Sequence, residues 1–166
     1  MIRYLKYYVL VLFCVFSANA MAFEGIAAPA TRASFRIPGI VGEAVFQDFA
    51  GTCRFDLNDI GATVYNIDLD VQTLDAGIKG GLLKSKSFLN ADDHKYLSFD
   101  STHNEVTGKY TMKMYGDLTL RGISLPIVWD VTIDPTSTEE EARFKATVDI
   151  DRRRWGINTL SGWRDF

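Results

Sequence analysis

Between Thr63 and Thr73, Tyr65, Ile67, Leu69 and Val71 alternate with Asn66, Asp68, Asp70 and Gln72. A period of two places the apolar set on one face of an extended chain and the polar set on the other. The pattern recurs in Phe144, Ala146, Val148 and Ile150, and in Ile127, Trp129, Val131 and Ile133. Tyr110, Met112 and Met114 begin another run that continues into Leu118 and Leu120. Leu97-Phe99-Ser101 and Phe35-Ile37 are shorter, and Pro38-Gly39 ends the latter. Glu43 to Asp56 alternates at both ends, but Phe46 and Phe49 are three apart, which predicts a bulge there. Turn residues at Asn58-Asp59, Asn104 to Gly108, Arg121-Gly122 and Asp134-Pro135 divide these runs into about seven strands.

Strands that are apolar on one side only belong to antiparallel sheets with one wet face. Seven of them in one small domain close as a sandwich or barrel. The exception is Gly77 to Asp93, where Leu82, Leu83, Phe88 and Leu89 do not alternate and glycines precede two lysines. A short helix and an aromatic-tipped loop are expected there.

The first 22 residues read differently. Arg3 and Lys6 precede an apolar run, Tyr7 to Phe16, and small residues then offer cleavage after Ala20 or Ala22. This is the layout of a secretory signal peptide, and the run is too short for a spanning helix of about 20 residues. The expected division is therefore a signal peptide over 1–22 and one domain over 23–166, exported to the periplasm. Removing the leader takes away two cations and leaves 16 basic against 21 acidic residues, a net charge of −5. Such a balance gives no basis for binding nucleic acid. Cys53 becomes the only thiol, so no internal disulfide forms, and its place in register with Phe55 marks it as a small core residue.

Catalytic patterns are sparse. His94 follows Asp92-Asp93, but no second His or Cys stands at ligand spacing, and a zinc site needs three or four ligands. There is no G-x-S-x-G, and Gly108-Lys109 lacks the earlier glycine of a phosphate loop. Asp68 and Asp70 share a strand face and could do acid–base work, but they fall on the expected outer, solubilising side. Neither a catalytic site, a metal nor a cofactor is expected. The aromatic residues, 13% of the chain, are the distinctive feature. A barrel of about eight strands can hold one small ligand. An interior lined by Phe35, Phe55, Tyr65, Phe99, Met112, Trp129 and Phe144 would suit an apolar one.

Several segments then carry a family resemblance. Leu83-Lys84-Ser85-Lys86-Ser87-Phe88-Leu89, followed by Tyr96-Leu97-Ser98-Phe99-Asp100-Ser101-Thr102, resembles the YceI-like family of periplasmic lipid-binding proteins. Tyr115-Gly116-Asp117-Leu118-Thr119-Leu120-Arg121-Gly122 with Pro126 is similar to its G-D-L-T motif, and Ile150 to Ile157 to its late R-x-x-F-G segment, with Trp155 for phenylalanine. The match is collinear from about Ser34 to Ile157. It implies a lipocalin-like antiparallel β-barrel and a non-catalytic carrier of polyisoprenoid, quinone or similar apolar lipid. Three features depart from the family. Pro29 to Ser34 shows neither the tyrosine-containing first strand nor the His-Ser pair usual there. Lys79-Gly80-Gly81-Leu82 stands where an R-D-x-H sequence is usual, and the chain ends at Phe166 where the family adds another alternating strand. The reading therefore expects a barrel short of its last strand, with three alternatives: a barrel open on one side, a truncated reading frame, or a strand supplied by another chain. Transient membrane contact and a dimer through the open edge complete the expected partners. The competing class is a filled-core interaction domain that pairs with a partner strand through that edge.

Overall fold

The computed structural model describes residues 8–9, 23–26, 33–37, 41–56, 58–137, 143–148 and 150–158; for 8–9, 23–26, 33–37, 41–43 and 147 it describes backbone alone. Among them run eleven strands: β1 (Tyr8–Val9), β2 (Phe23–Ile26), β3 (Ala33–Ile37), β4 (Val41–Phe46), β5 (Phe49–Phe55), β6 (Val64–Asp70), β7 (Leu74–Asp75), β8 (Tyr96–Gly108), β9 (Thr111–Leu120), β10 (Ile123–Ile133) and β11 (Phe144–Thr147). They form one antiparallel sheet in the order β11-β10-β9-β8-β6-β5-β2 and a second in the order β1-β3-β4-β7. A 3-10 turn (Gly77–Lys79) and one short helix, α1 (Gly80–Lys84), lie between β7 and β8.

The alternation does what a period of two requires. Along β9, Met112, Met114, Leu118 and Leu120 are buried while their neighbours are half-exposed. On β10, Ile127, Trp129, Val131 and Ile133 point the same way. The larger sheet is rolled. Tyr65 on β6 and Phe144 on β11 are four strand steps apart, about 19 Å across a flat sheet, yet their ring centroids lie 5.7 Å apart. The result is the expected lipocalin-like architecture as a curled antiparallel half-barrel, with the core inside the curl. Gly116 permits part of that curl: a Cβ there would come within 2.6 Å of the Phe99 ring. The β9–β10 connection is a two-residue turn with Arg121 and Gly122 both at positive φ, and Leu120 pairs with Ile123 across it.

Four local expectations are corrected. The strand from Thr63 stops at Asp70, because the Asp70 carboxylate accepts the Gln72 N–H at 2.9 Å and a 3-10 turn, Val71–Thr73, follows. Asp70 is thus buried, not a member of a wet outer face. Glu43 to Asp56 is two strands on different sheets rather than one bulged strand. The break is pinned by Asp70 N–H donating to the Asp48 carbonyl at 3.0 Å. Asn104 to Gly108 is not a turn: β8 continues through it with register shifts at Ser101/His103 and Val106/Gly108. Its turn-like composition is tolerated because β9 supplies a ladder partner and Asn104 donates to the Gly61 and Thr63 carbonyls. Phe88 does not tip its loop but is buried beneath it.

The end of the curl near the β9–β10 turn is closed by a 3-10 turn, Arg152–Trp155. Asp151 caps it by accepting the Arg153 N–H at 3.1 Å. Trp155 is fully buried, and its indole N–H donates to the Leu118 carbonyl at 3.1 Å. Arg121 in turn donates to the Gly156 carbonyl at 2.8 Å.

Candidate functional site

Inside the curl, six of the seven expected lining residues have described side chains. Phe55, Tyr65, Phe99, Met112, Trp129 and Phe144 are all buried, none more than 4% exposed. They come from β5, β6, β8, β9, β10 and β11, one from each of six of the sheet's seven strands. Phe35 lies on β3 in the other sheet, opposite Ala44 and Val9; its side chain is outside the described residues.

Four of the rings form a continuous chain. Phe144 meets Tyr65 edge-on at 5.7 Å and 90°, Tyr65 lies 6.5 Å from Phe99, and Phe99 lies 4.6 Å from Trp129. These separations fall in the range of favourable aromatic pairs, each worth about 0.5–1.5 kcal/mol beyond area burial. The two buried indoles differ in one respect. Trp155 has its carbonyl partner, whereas the Trp129 Nε1–H has no hydrogen-bond partner among the described residues. A buried donor left unmade costs about 1–3 kcal/mol, so this N–H calls for an acceptor, whether a water or a ligand oxygen.

Trp155 was visible in the sequence as an aromatic, but its role as end closure was not. The signal that could have found it is the Asp151 cap followed by Gly156, which has φ of 71°. Cys53 is buried on the same face as Phe55, as its position implied.

The outer face is acidic and polar. Asp100 stands opposite Asp117 on β9 and Asn66 on β6, while Asp68 accepts the Ser98 hydroxyl at 2.5 Å. Partial burial, then the charges of Asp68 and Asp117, push the Asp100 carboxyl above the ordinary range. No group of three His, Cys, Asp or Glu among the described residues is arranged to hold a metal. His103 is on β8 and stacks on Tyr115 at 4.3 Å and 9°.

The YceI-like domain model matches residues 26–165. The chain belongs to the YceI-like family. Relatives named UPF0312 protein include one from Pseudomonas savastanoi, 30% identical over 118 residues, which are 68% of this chain and 62% of that one. Another, from Ectopseudomonas mendocina, is 33% identical over 85 residues, 50% of this chain and 44% of that one. The matched stretch thus spans less than two thirds of either relative. Among solved structures, the Campylobacter jejuni YCEI protein superposes with a TM-score of 0.64 at 21% identity, covering 71% of this chain and 72% of that one. Burkholderia cenocepacia BcnA gives 0.56 at 16% identity, covering 77% and 96%. These likenesses establish the shared fold. Family and fold agree on a YceI-like β-barrel domain.

Proposed function

We propose that this YceI-like protein is an exported, periplasmic carrier that holds a long apolar lipid of isoprenoid or quinone type inside its curled sheet and performs no chemistry on it. The observation that carries the reading is the aromatic chain Phe144–Tyr65–Phe99–Trp129, contributed by four strands and ending on an indole N–H with no partner among the described residues. The rings offer apolar area, and the N–H offers one fixed donor to an oxygen of the ligand. That combination suits small-molecule sites, which are mostly apolar with few placed polar groups. The six described lining residues are buried, so a ligand reaches them only where the wall yields. β11 is the natural place: it has four residues and, among the described residues, a ladder on one side only.

The energetics suit reversible carriage. Each buried CH₂ is worth about 0.8 kcal/mol relative to water. A membrane offers the same gain, so transfer from bilayer to barrel is near neutral, and the carrier loads and unloads without a large driving force. Native mass spectrometry of protein purified from cells tests this reading. Co-purifying apolar mass is expected, and it should fall in Trp129→Glu when circular dichroism shows that variant folded. Folded wild type that neither carries nor extracts lipid would reject the carrier.

The side of β11 that has no ladder among the described residues favours a second reading, a dimer in which two such edges pair. Sedimentation velocity would then show a dimer whose dissociation follows charge substitutions along Phe144–Thr147.

A further inference from the structure

We infer that Trp129 and Asn104 form a polar subsite inside the curl that selects an apolar ligand with a neutral hydroxyl head, a reading that rests on the carrier proposed above. The ligand oxygen accepts from the indole, and the hydroxyl hydrogen is donated to the amide.

The Trp129 Nε1–H and the Asn104 Oδ1 are both buried without a hydrogen-bond partner among the described residues. One is a donor and the other an acceptor. The amide's orientation is fixed, because its Nδ2 donates to the Gly61 carbonyl at 3.0 Å and to the Thr63 carbonyl at 2.6 Å. Turning it over would set an oxygen against two carbonyls, so Oδ1 is the end left over. The two residues share one row of the sheet. Asn104 on β8 and Trp129 on β10 both stand directly opposite Met114 of β9, which is buried. Directly opposed residues take the same face, so all three point into the curl. Two strand steps separate them, about 10 Å on a flat sheet. On the concave side of a rolled sheet side chains converge, as Tyr65 and Phe144 do across the same curl.

Hydrogen-bonding capacity and charge choose the head. A hydroxyl both donates and accepts, so it serves both atoms, directly or through one water. An ether, aldehyde or ketone only accepts; it satisfies the indole and leaves the Asn104 oxygen stranded. A hydrocarbon satisfies neither. An ionised carboxylate or phosphate meets no cation, since no Lys, Arg or His is buried among the described residues, and an unpaired buried charge costs far more than a missing hydrogen bond. Within the quinone type, the reduced hydroxyl form is therefore preferred to the oxidised carbonyl form. The row also orients the ligand. From Met114 towards the β9–β10 turn, Leu118 lies between Phe99 and Leu125, Leu120 follows, and Trp155 closes the end. The apolar tail lies on that side.

The test compares geranylgeraniol, its methyl ether and the corresponding hydrocarbon, by displacement of a neutral naphthylamine reporter from the purified full chain. Affinities are read as ratios between ligands and compared across proteins, so the hydration of the free ligands cancels. Trp129→Phe should weaken the alcohol and the ether on the order of tenfold relative to the hydrocarbon, the effect of removing one buried hydrogen bond. It should leave the alcohol-to-ether ratio unchanged. Asn104→Ala should cut that ratio by a similar factor. Should Asn104→Ala fail to fold, nitrogen–proton spectra of the wild type carry the test: alcohol and ether should shift the Trp129 indole signal where the hydrocarbon does not, and the alcohol should shift the Asn104 amide more than the ether does. Ratios that are the same in all three proteins, or indole and amide signals that respond alike to all three ligands, assign the two atoms to water; they overturn the inference and leave the carrier standing. Folded wild type that binds none of the three ligands overturns both.

Discussion

Asp100 has two carboxylates near it on the outer face, and its own carboxyl is raised by partial burial first and by Asp68 and Asp117 next. A raised acid is one whose charged form the folded state disfavours. Its destabilising effect is therefore full above the folded pKa, relaxes as pH falls through it, and vanishes below the unfolded value of 3.8. Asp100→Asn should raise the melting temperature at pH 7 and give no gain near pH 3, measured by thermal melts across that range. Asp151 has the opposite sign, because the Arg153 hydrogen bond holds its carboxyl down. Its contribution is present above pH 3.8 and is lost as pH falls, so Asp151→Asn should cost stability at pH 7 and nothing in acid. Equal effects at both pH values would reject the electrostatic account of either residue.

At the scale of elements, the Arg152–Trp155 turn does more than its length suggests. It places a fully buried indole against the Leu118 carbonyl and lets Arg121 reach Gly156. Trp155→Ala removes both the packing and the hydrogen bond, and should cost about 3–5 kcal/mol in denaturant unfolding. Trp155→Phe keeps much of the area but loses the hydrogen bond to the Leu118 carbonyl, and should cost less. The β9–β10 turn makes a second element-level case. Gly122 sits at φ of 72° with His94 only 3.2 Å from where a Cβ would be. Gly122→Val should destabilise the hairpin through both strain and crowding.

For the whole molecule, the two sheets meet without a ladder between β3 and β11 among the described residues. β1, from the expected leader, pairs with β3 and lies within 8 Å of β11. We propose that export removes this segment. N-terminal sequencing of the periplasmic protein should then begin at Met21 or Phe23, and a retained full-length chain would refute the cleavage. The mature protein, without β1, should unfold at lower temperature than the full chain if Tyr8–Val9 contributes to the wall. An equal melting temperature would show that the pairing carries no stability.

Period-two alternation alone determined β6, β9 and β10 and the inward set Tyr65, Met112 and Trp129, because a strand's side chains must take opposite faces whatever surrounds it. The G-D-L-T segment identified the family, and Gly116 within it is explained by the ring that crosses it. Other features depended on contacts that no local pattern encodes. Asn104 to Gly108 has the composition of a turn, yet it is strand because β9 lies alongside. Phe46 and Phe49 look like neighbours on one bulged strand, yet the chain turns a corner between two sheets. Tyr65 and Phe144 touch only because four strands roll. The sequence determined which side chains face inward; the curl of the sheet alone decided which of them meet, because contact across a barrel depends on the accumulated twist and register of every strand between.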